Sequence, residues 1–295
     1  MDSMLFRKKK PLFLFFTPAL IFMSVFLYYP FIFNVINSVM SISGLGSAAT
    51  GINDPWYVNY VNLFTDKIML TALKNTFITM GATVVFQLGI ALVLALLVDG
   101  IPKGAQVFRT VYFFPIVISA TALGLLFNLI FLYDGGMINN MLKSFGMQEL
   151  IDWKGESLYM VTMLTPVMWQ YVGFYFVIIV TGLNNISSDI YEAAAIDGAS
   201  GFKRIRYISL PLIYNVLCTC LILAITGALK VFDLPFVMMG TGAPLDKSWL
   251  TGTYMYHQAF SRQDVDYASA IAILIVVLGV IISQALNMLF KEKDY

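Results

Sequence analysis

Few residues in this sequence of 295 could do chemistry by themselves. The single histidine, His257, has no Cys, Asp or Glu at metal-ligand spacing and is read as structural or interfacial. Neither His-Glu-x-x-His nor Gly-x-Ser-x-Gly occurs. Cys218 and Cys220 stand two apart in an apolar run, too close for an ordinary disulfide, and are read as small packing residues. The run GASGFKR offers glycines followed by a lysine, as a phosphate-binding loop does. Such a loop needs about four residues between its glycines and a lysine directly after the second. Here only Ala199 and Ser200 separate Gly198 from Gly201, Phe202 stands before Lys203, and no strand pattern precedes them. Polar residues inside apolar runs remain: Gln87, Asn128, Gln170 and Lys230. Such groups are costly in lipid and are either interhelical hydrogen-bonding partners or functional; Gln87 and Asn128 are read as the former. Trp169, Tyr171 and Tyr175 crowd one segment, as packing aromatics or as a ligand-facing group.

The elements that must position these residues follow from composition. Hydrophobic residues make up 59% and charged residues 12%, against roughly 45–50% and 25% in soluble domains. Mean hydropathy is +0.79. A spanning helix needs about 20 apolar residues, and six runs qualify: Leu12–Ile36, Thr71–Val98, Thr110–Tyr133, Leu158–Leu183, Leu212–Phe232 and Tyr267–Phe290. The pattern predicts an all-α membrane protein, residues 1–295 forming one transmembrane domain. RKKK followed by an apolar run imitates a secretion signal, but the run exceeds the 7–15 residues of a signal core, so it is read as an uncleaved first span. Six spans place both termini on one side. That side carries Arg7, Lys8, Lys9, Lys10, Lys103, Arg109, Lys203, Arg204, Arg206, Lys291 and Lys293, eleven basic residues against seven on the other. The bias puts both termini in the cytoplasm. A net charge of +1 gives no sign of a nucleic-acid partner.

The outer connections are 37–70, 134–157 with room for a short interfacial helix, and 233–266, turn-dense around LPFVMMGTGAPLDKSW. The longest inner connection, 184–211, is different. Ser187 and Ser188 with Asp189 form a helix start, and a short helix is predicted over about Asp189–Asp197. It would carry Ile190, Ala193, Ala194 and Asp197 on one side. Gly198 ends it. Ser200 caps a second helix bearing Phe202, Ile205 and Ile208, which Leu210-Pro211 ends before span five. A basic amphipathic loop lying on headgroups would account for Lys203, Arg204, Arg206 and Phe202. Glu192 beside alanines and the Asp197-Gly198 corner fit docking on a cytoplasmic protein. No repeat of 20–50 residues and no match between halves is evident, which favours a chain that pairs with another to build a pathway. A self-contained carrier would need intramembrane carboxylates or a repeat, and a membrane-embedded enzyme a convergent acid/base or metal cluster.

EAAAIDGA (192–199) followed by ISLP (208–211) resembles the "EAA" loop of binding-protein-dependent ABC importer permeases. Glu192, Ala193, Ala194, Gly198 and Leu210-Pro211 fit its spacing, while Ser187-Ser188 stand where Ile-Pro-Lys is more usual. FTPALIFMSVFLYYPFIFNVINSV, RTVYFFPIVISATALGLLFNLIF with DGGMINNML, and KVFDLPFVMMGTGAP with YMYHQAF and YASAIAILI resemble the carbohydrate-uptake branch typified by the maltose permease MalF. Gly242-Ala243-Pro244 departs from its usual Thr-Gly-Gly-Pro. MalF's extra N-terminal spans and large periplasmic insert are absent.

The resemblance implies a type I ABC importer permease fold: six transmembrane helices with a cytoplasmic two-helix coupling loop, in a prokaryotic inner membrane. It implies a second, MalG-like permease, two copies of a cytoplasmic ABC ATPase that bind the ATP and magnesium, and an extracytoplasmic solute-binding protein. This chain would hold no cofactor, bind no metal and catalyse no reaction. Glu192, Ala193, Ala194, Asp197 and Gly198 would couple to the ATPase. Trp169, Gly173, Tyr175, Lys230, Phe232 and Asp233 would line the path of a sugar, with an oligosaccharide preferred over a polyol or a glycerol-phosphate compound. Lys230 and Asp233 could instead form a structural pair at an outer gate.

Overall fold

The computed structural model describes residues 9–99, 104–240 and 242–290. Of the basic residues used for orientation, Arg7, Lys8, Lys103, Lys291 and Lys293 lie outside them. Among the described residues, five helical runs are long and apolar enough to cross a membrane: Phe13–Asn37, Lys67–Val98, Tyr159–Asn184, Tyr214–Met239 and Val265–Leu289. A sixth span is a broken pair, Gln106–Val117 and Ala120–Ile130, bent by 92°.

The break corrects the expectation of a continuous third span over 110–133. Pro115 lies near the end of the first half. A proline inside a helix removes one donor and crowds the preceding turn. The helix stops at Val117, and Ile118 and Ser119 turn extended, with ψ of 134° and 130°. Exposed backbone at membrane depth is tolerated only where protein groups satisfy it. Gln170 does so, donating from Nε2 to the Ile118 carbonyl at 3.3 Å.

Span five also departs from expectation. Leu212 belongs to a short helix at the end of the preceding loop. The span proper runs Tyr214–Ala228, unwinds over 229–232, and resumes as Asp233–Met239. The connection 233–266 is accordingly partly helical, with a further helix Thr251–Tyr256.

The chain forms two compact units, Met1–Thr65 with Met255–Leu274, and Asp66–Tyr254 with Ile275–Tyr295. In the first, the chain's own atoms bury none of span one, which leaves its Phe- and Leu-rich surface for lipid or another chain. The connection after it holds a two-stranded ladder, Met40–Ser41 against Gly51–Ile52, and a helix Val58–Thr65. Asp266 ties these together, its Oδ2 accepting from Asn59 Nδ2 at 3.1 Å and Asn53 Nδ2 at 3.3 Å. Beside it, burial pushes the Asp264 carboxyl up to about 6, helped by its hydrogen bond to Asp266 and the Asp266 charge.

The second unit is built round span four. Phe176, Ile179 and Leu183 are fully or nearly fully buried against Ala91 and Ala95 of span two and Cys220 and Ala224 of span five. The alanines let helix axes approach closely. A second cluster joins Leu123, Met163 and Val167 to Leu234 and Leu250. The connection between spans five and six folds back onto span two. Asn75 Nδ2 donates to the carbonyls of Lys247 at 2.6 Å and Trp249 at 2.9 Å, and the Thr76 and Thr251 hydroxyls meet at 3.2 Å. Trp249 is 2% exposed. The short helix expected in 134–157 is Met137–Ser144.

Candidate functional site

A cavity of about 250 Å³ lies inside the second unit, where four spans meet. Its most distinctive wall is the unwound stretch of span five, which presents Lys230, Val231 and Phe232, followed by Asp233. Opposite backbone irregularities serve the same cavity. Thr83 and Gln87 come from a π-helical turn, Thr83–Leu88, within span two, a distortion common at functional sites. Ala120 follows the break in span three. Span four adds Val167, Gln170, Tyr171 and Tyr175. Three of the four spans therefore leave regular α geometry where they face this space.

The polar lining is held in place. Gln87 Nε2 donates to the Val167 carbonyl at 2.7 Å, and Gln170 Nε2 to Ile118. Only an amide nitrogen can donate to a carbonyl, so these bonds fix the orientation of each amide. Thr83 Oγ1 bonds to the Thr79 carbonyl at 2.8 Å. The arrangement offers polar edges and the faces of Tyr171, Tyr175 and Phe232, a mixed lining that suits a polyhydroxylated ligand better than an apolar one.

Of the six residues expected on a substrate path, Tyr175, Lys230, Phe232 and Asp233 line the cavity. Trp169 and Gly173 do not. Trp169 is 45% exposed and packs on Phe127, with ring centroids 6.0 Å apart. Gly173 faces the backbone of Tyr112 on span three, where the absence of a side chain permits the close approach. Among the described residues no ion pair joins Lys230 to Asp233, so the structural pairing considered from sequence is not formed. The cavity positions of Thr83 and Gln87 were not foreseen. Their separation of four residues in an apolar run was the available signal, but the π turn that aims both inward leaves no sequence mark. Asn128 has the interhelical role expected of it, donating from Nδ2 to the Val237 carbonyl at 3.2 Å. Lys154 donates to Asn128 Oδ1 at 2.5 Å and to the Met238 carbonyl at 3.2 Å, and burial lowers its pKa. His257 and the two cysteines join no metal-ligand cluster among the described residues.

The 184–211 loop is a second site. Its first helix is Ser188–Ile196, with Ser187 Oγ accepting from the Asp189 N–H at 3.3 Å. It ends in a Schellman motif: the Ala199 N–H donates to Ala194 O at 2.8 Å and the Gly198 N–H to Ala195 O at 3.1 Å, with Gly198 at φ 74°. Glu192, Ala193, Asp197 and Gly198 are exposed. Ala194 is 7% exposed and turns into the chain, so the alanine face expected for a partner is divided. The open surface carries instead Ile196, Phe202 and Tyr207, exposed by 87%, 78% and 72%. Ser200 does not cap the second helix through its side chain; Gly201, at φ 55°, opens it. Nor does Leu210-Pro211 end it. The helix Phe202–Arg204 widens into a π turn, Ile205–Ser209, and continues through Pro211, because the wider turn removes the hydrogen bond that proline could not donate.

Comparison with known proteins bears on both sites. Residues 87–293 match the family described as "Binding-protein-dependent transport system inner membrane component". The probable ABC transporter permease protein YurN of Bacillus subtilis is 32% identical over 283 residues, covering 95% of each chain. The lactose transport system permease protein LacF of Rhizobium radiobacter is 30% identical over 276 residues, covering 92% of this chain and 90% of that one. A crystal structure of a bacterial alginate ABC transporter in complex with an alginate pentasaccharide-bound periplasmic protein contains a chain of the same fold. Its TM-score is 0.83 at 21% identity, over 96% of this chain and 94% of that one.

Proposed function

The chain belongs to the family of binding-protein-dependent transport system inner membrane components, and from that premise we propose that it forms half of the translocation pathway of an ATP-driven sugar importer. As a member of that family it is a multi-pass membrane permease component and not an enzyme. The observation that carries the pathway reading is the coincidence of three backbone irregularities on one polar and aromatic cavity: the π turn of span two, the break of span three and the unwinding of span five. Irregular backbone at membrane depth is found where it lines a cavity or a substrate site.

The volume supports a shared pathway. About 250 Å³ is below the roughly 300–1,000 Å³ of pockets that engulf a ligand, so this chain supplies one wall and a related permease the other. A sugar, preferably an oligosaccharide, is the proposed cargo; the lactose permease and the alginate transporter bear on this by name. Two copies of an ABC ATPase would bind ATP and magnesium, and a solute-binding protein would deliver the sugar. The basic-residue bias supports placing both termini and the 184–211 loop in the cytoplasm. There Glu192, Ala193, Asp197 and Gly198, with exposed Ile196 and Phe202, would meet the ATPase.

Phe232→Ala in the assembled importer tests the pathway reading. Removing one aromatic face of the cavity lining should raise the KM of ATP-driven uptake about tenfold while leaving ATP hydrolysis in the absence of sugar unchanged. An unaltered KM would remove the cavity from the path.

A further inference from the structure

The 184–211 loop is fastened to span two by a bracket of three side chains. Asp99 caps the end of span two, its N–H donating to Ala95 O at 2.9 Å. Its carboxylate accepts from Arg204 Nη2 at 3.2 Å, with side-chain exposures of 12% for Asp99 and 33% for Arg204. The same guanidinium lies over the ring of Tyr191, 5.0 Å from its centroid. Tyr191 belongs to the first loop helix, one residue before Glu192. Its hydroxyl in turn meets the fully buried Ser209 Oγ at 3.3 Å, in the π turn that leads to span five.

We propose that Arg204, held between Asp99 and Tyr191, is the positioning residue through which movement of the loop helix Ser188–Ile196 reaches span two. The inference rests on the coupling role proposed for Glu192. One residue joins three elements: its guanidinium gives a flat face to the Tyr191 ring and an edge to the Asp99 carboxylate, and its backbone belongs to the second loop helix, Phe202–Arg204. Lysine could not make both contacts at once, since its ammonium is a point charge. Among the described residues, Arg204 Nε is buried and has no hydrogen-bond partner. The far end of the lever is the cavity. Gln87 and Thr83 lie on the same span as Asp99, about 18 and 24 Å back at about 1.5 Å per residue. A shift of the end of span two carries this wall with it, while the Tyr191–Ser209 contact carries the start of span five.

The test uses the complete importer, with both permeases, ATPase and binding protein, in proteoliposomes. Its readout is ATP hydrolysed per sugar carried, which a loss of folded protein does not move. Asp99→Asn and Arg204→Gln should each raise this ratio about tenfold, the size expected for removal of a charge-assisted hydrogen bond. The double variant should be no worse than the worse single, because both remove one contact. Arg204→Lys keeps the charge and should preserve assembly even where Arg204→Gln does not, yet still raise the ratio. A wild-type ratio in Asp99→Asn and Arg204→Lys, or additive effects in the double variant, would overturn the bracket. Glu192→Ala separates the two ideas: if it abolishes uptake while the bracket variants keep the wild-type ratio, only the bracket falls. Normal uptake in Glu192→Ala would remove the coupling role itself.

Discussion

Glu192→Ala is expected to abolish ATP-driven uptake while the chain still inserts and assembles with its partner permease. Glu192 is exposed on a short helix whose ends are locked, by the Ser187 cap at one end and the Gly198 Schellman motif at the other. Among the described residues its carboxylate joins no ion pair, so truncation at this position should cost the fold about 0.5 kcal/mol or less. A partner that seats the helix loses far more: removing one side of a buried, hydrogen-bonded charge pair costs about 2–5 kcal/mol, enough to uncouple hydrolysis from transport. Gly198→Val should do the same by another route. At φ 74° a β-branched residue is strained, so the corner shifts and the helix is presented at the wrong angle. Uptake of labelled sugar, normalised to the amount of permease in the membrane, checks both. Normal uptake in either variant would end the coupling assignment.

Gly173→Ala should produce the largest loss of stability from a single methyl group. A Cβ at this position overlaps the carbonyl oxygen and carbon of Tyr112 and comes within 2.8 Å of the Phe113 nitrogen. These are backbone atoms in a helix, so no side-chain rotation relieves the clash. The first half of span three must move off span four, loosening the edge-to-face contact of Tyr112 with Phe176, whose centroids are 5.2 Å apart. Overpacking of this kind costs about 1–3 kcal/mol and occasionally more. The expected result is a fall of several degrees in the unfolding temperature of the purified complex, with reduced amounts in the membrane. An unchanged unfolding temperature would show that span three has slack at Tyr112 that the packing does not display.

The two glycines show what the sequence makes legible. Gly198 could be read in advance, because it stands after an acidic-capped run of helix formers and before another cap-like cluster, where a positive φ is the usual ending. Gly173 is expected on the sugar path, yet it lies at a close crossing with the Tyr112 backbone and outside the cavity lining. It is flanked by aromatic residues in an apolar run, a pattern shared by a substrate path and by a close helix crossing, and only the partner helix distinguishes them. Span number and position were readable because about 20 apolar residues are a strong, local signal. The interruptions were not. Pro115 lies two residues before the end of the first half of span three, yet Pro166 lies inside an unbroken span four, so a proline alone does not locate a break. What decides is whether a neighbour satisfies the freed backbone, as Gln170 does for Ile118, and that is a property of packing. Lys230, Phe232 and Asp233 were legible as a polar-aromatic group at the end of a span, whereas Thr83 and Gln87 depend on a π turn. In the loop, the charge and the corner were visible, but the inward turn of Ala194 and the reach of Arg204 to Asp99 join residues 105 positions apart in the chain.

The central claim is that this chain is one wall of a pathway driven from outside itself, and sugar flux into proteoliposomes tests it most directly. Vesicles holding this chain alone should show no sugar flux and no ATP hydrolysis. Vesicles holding both permeases and the ATPase, with binding protein outside and ATP inside, should accumulate sugar. Flux through the isolated chain would contradict the account and make it a self-contained carrier.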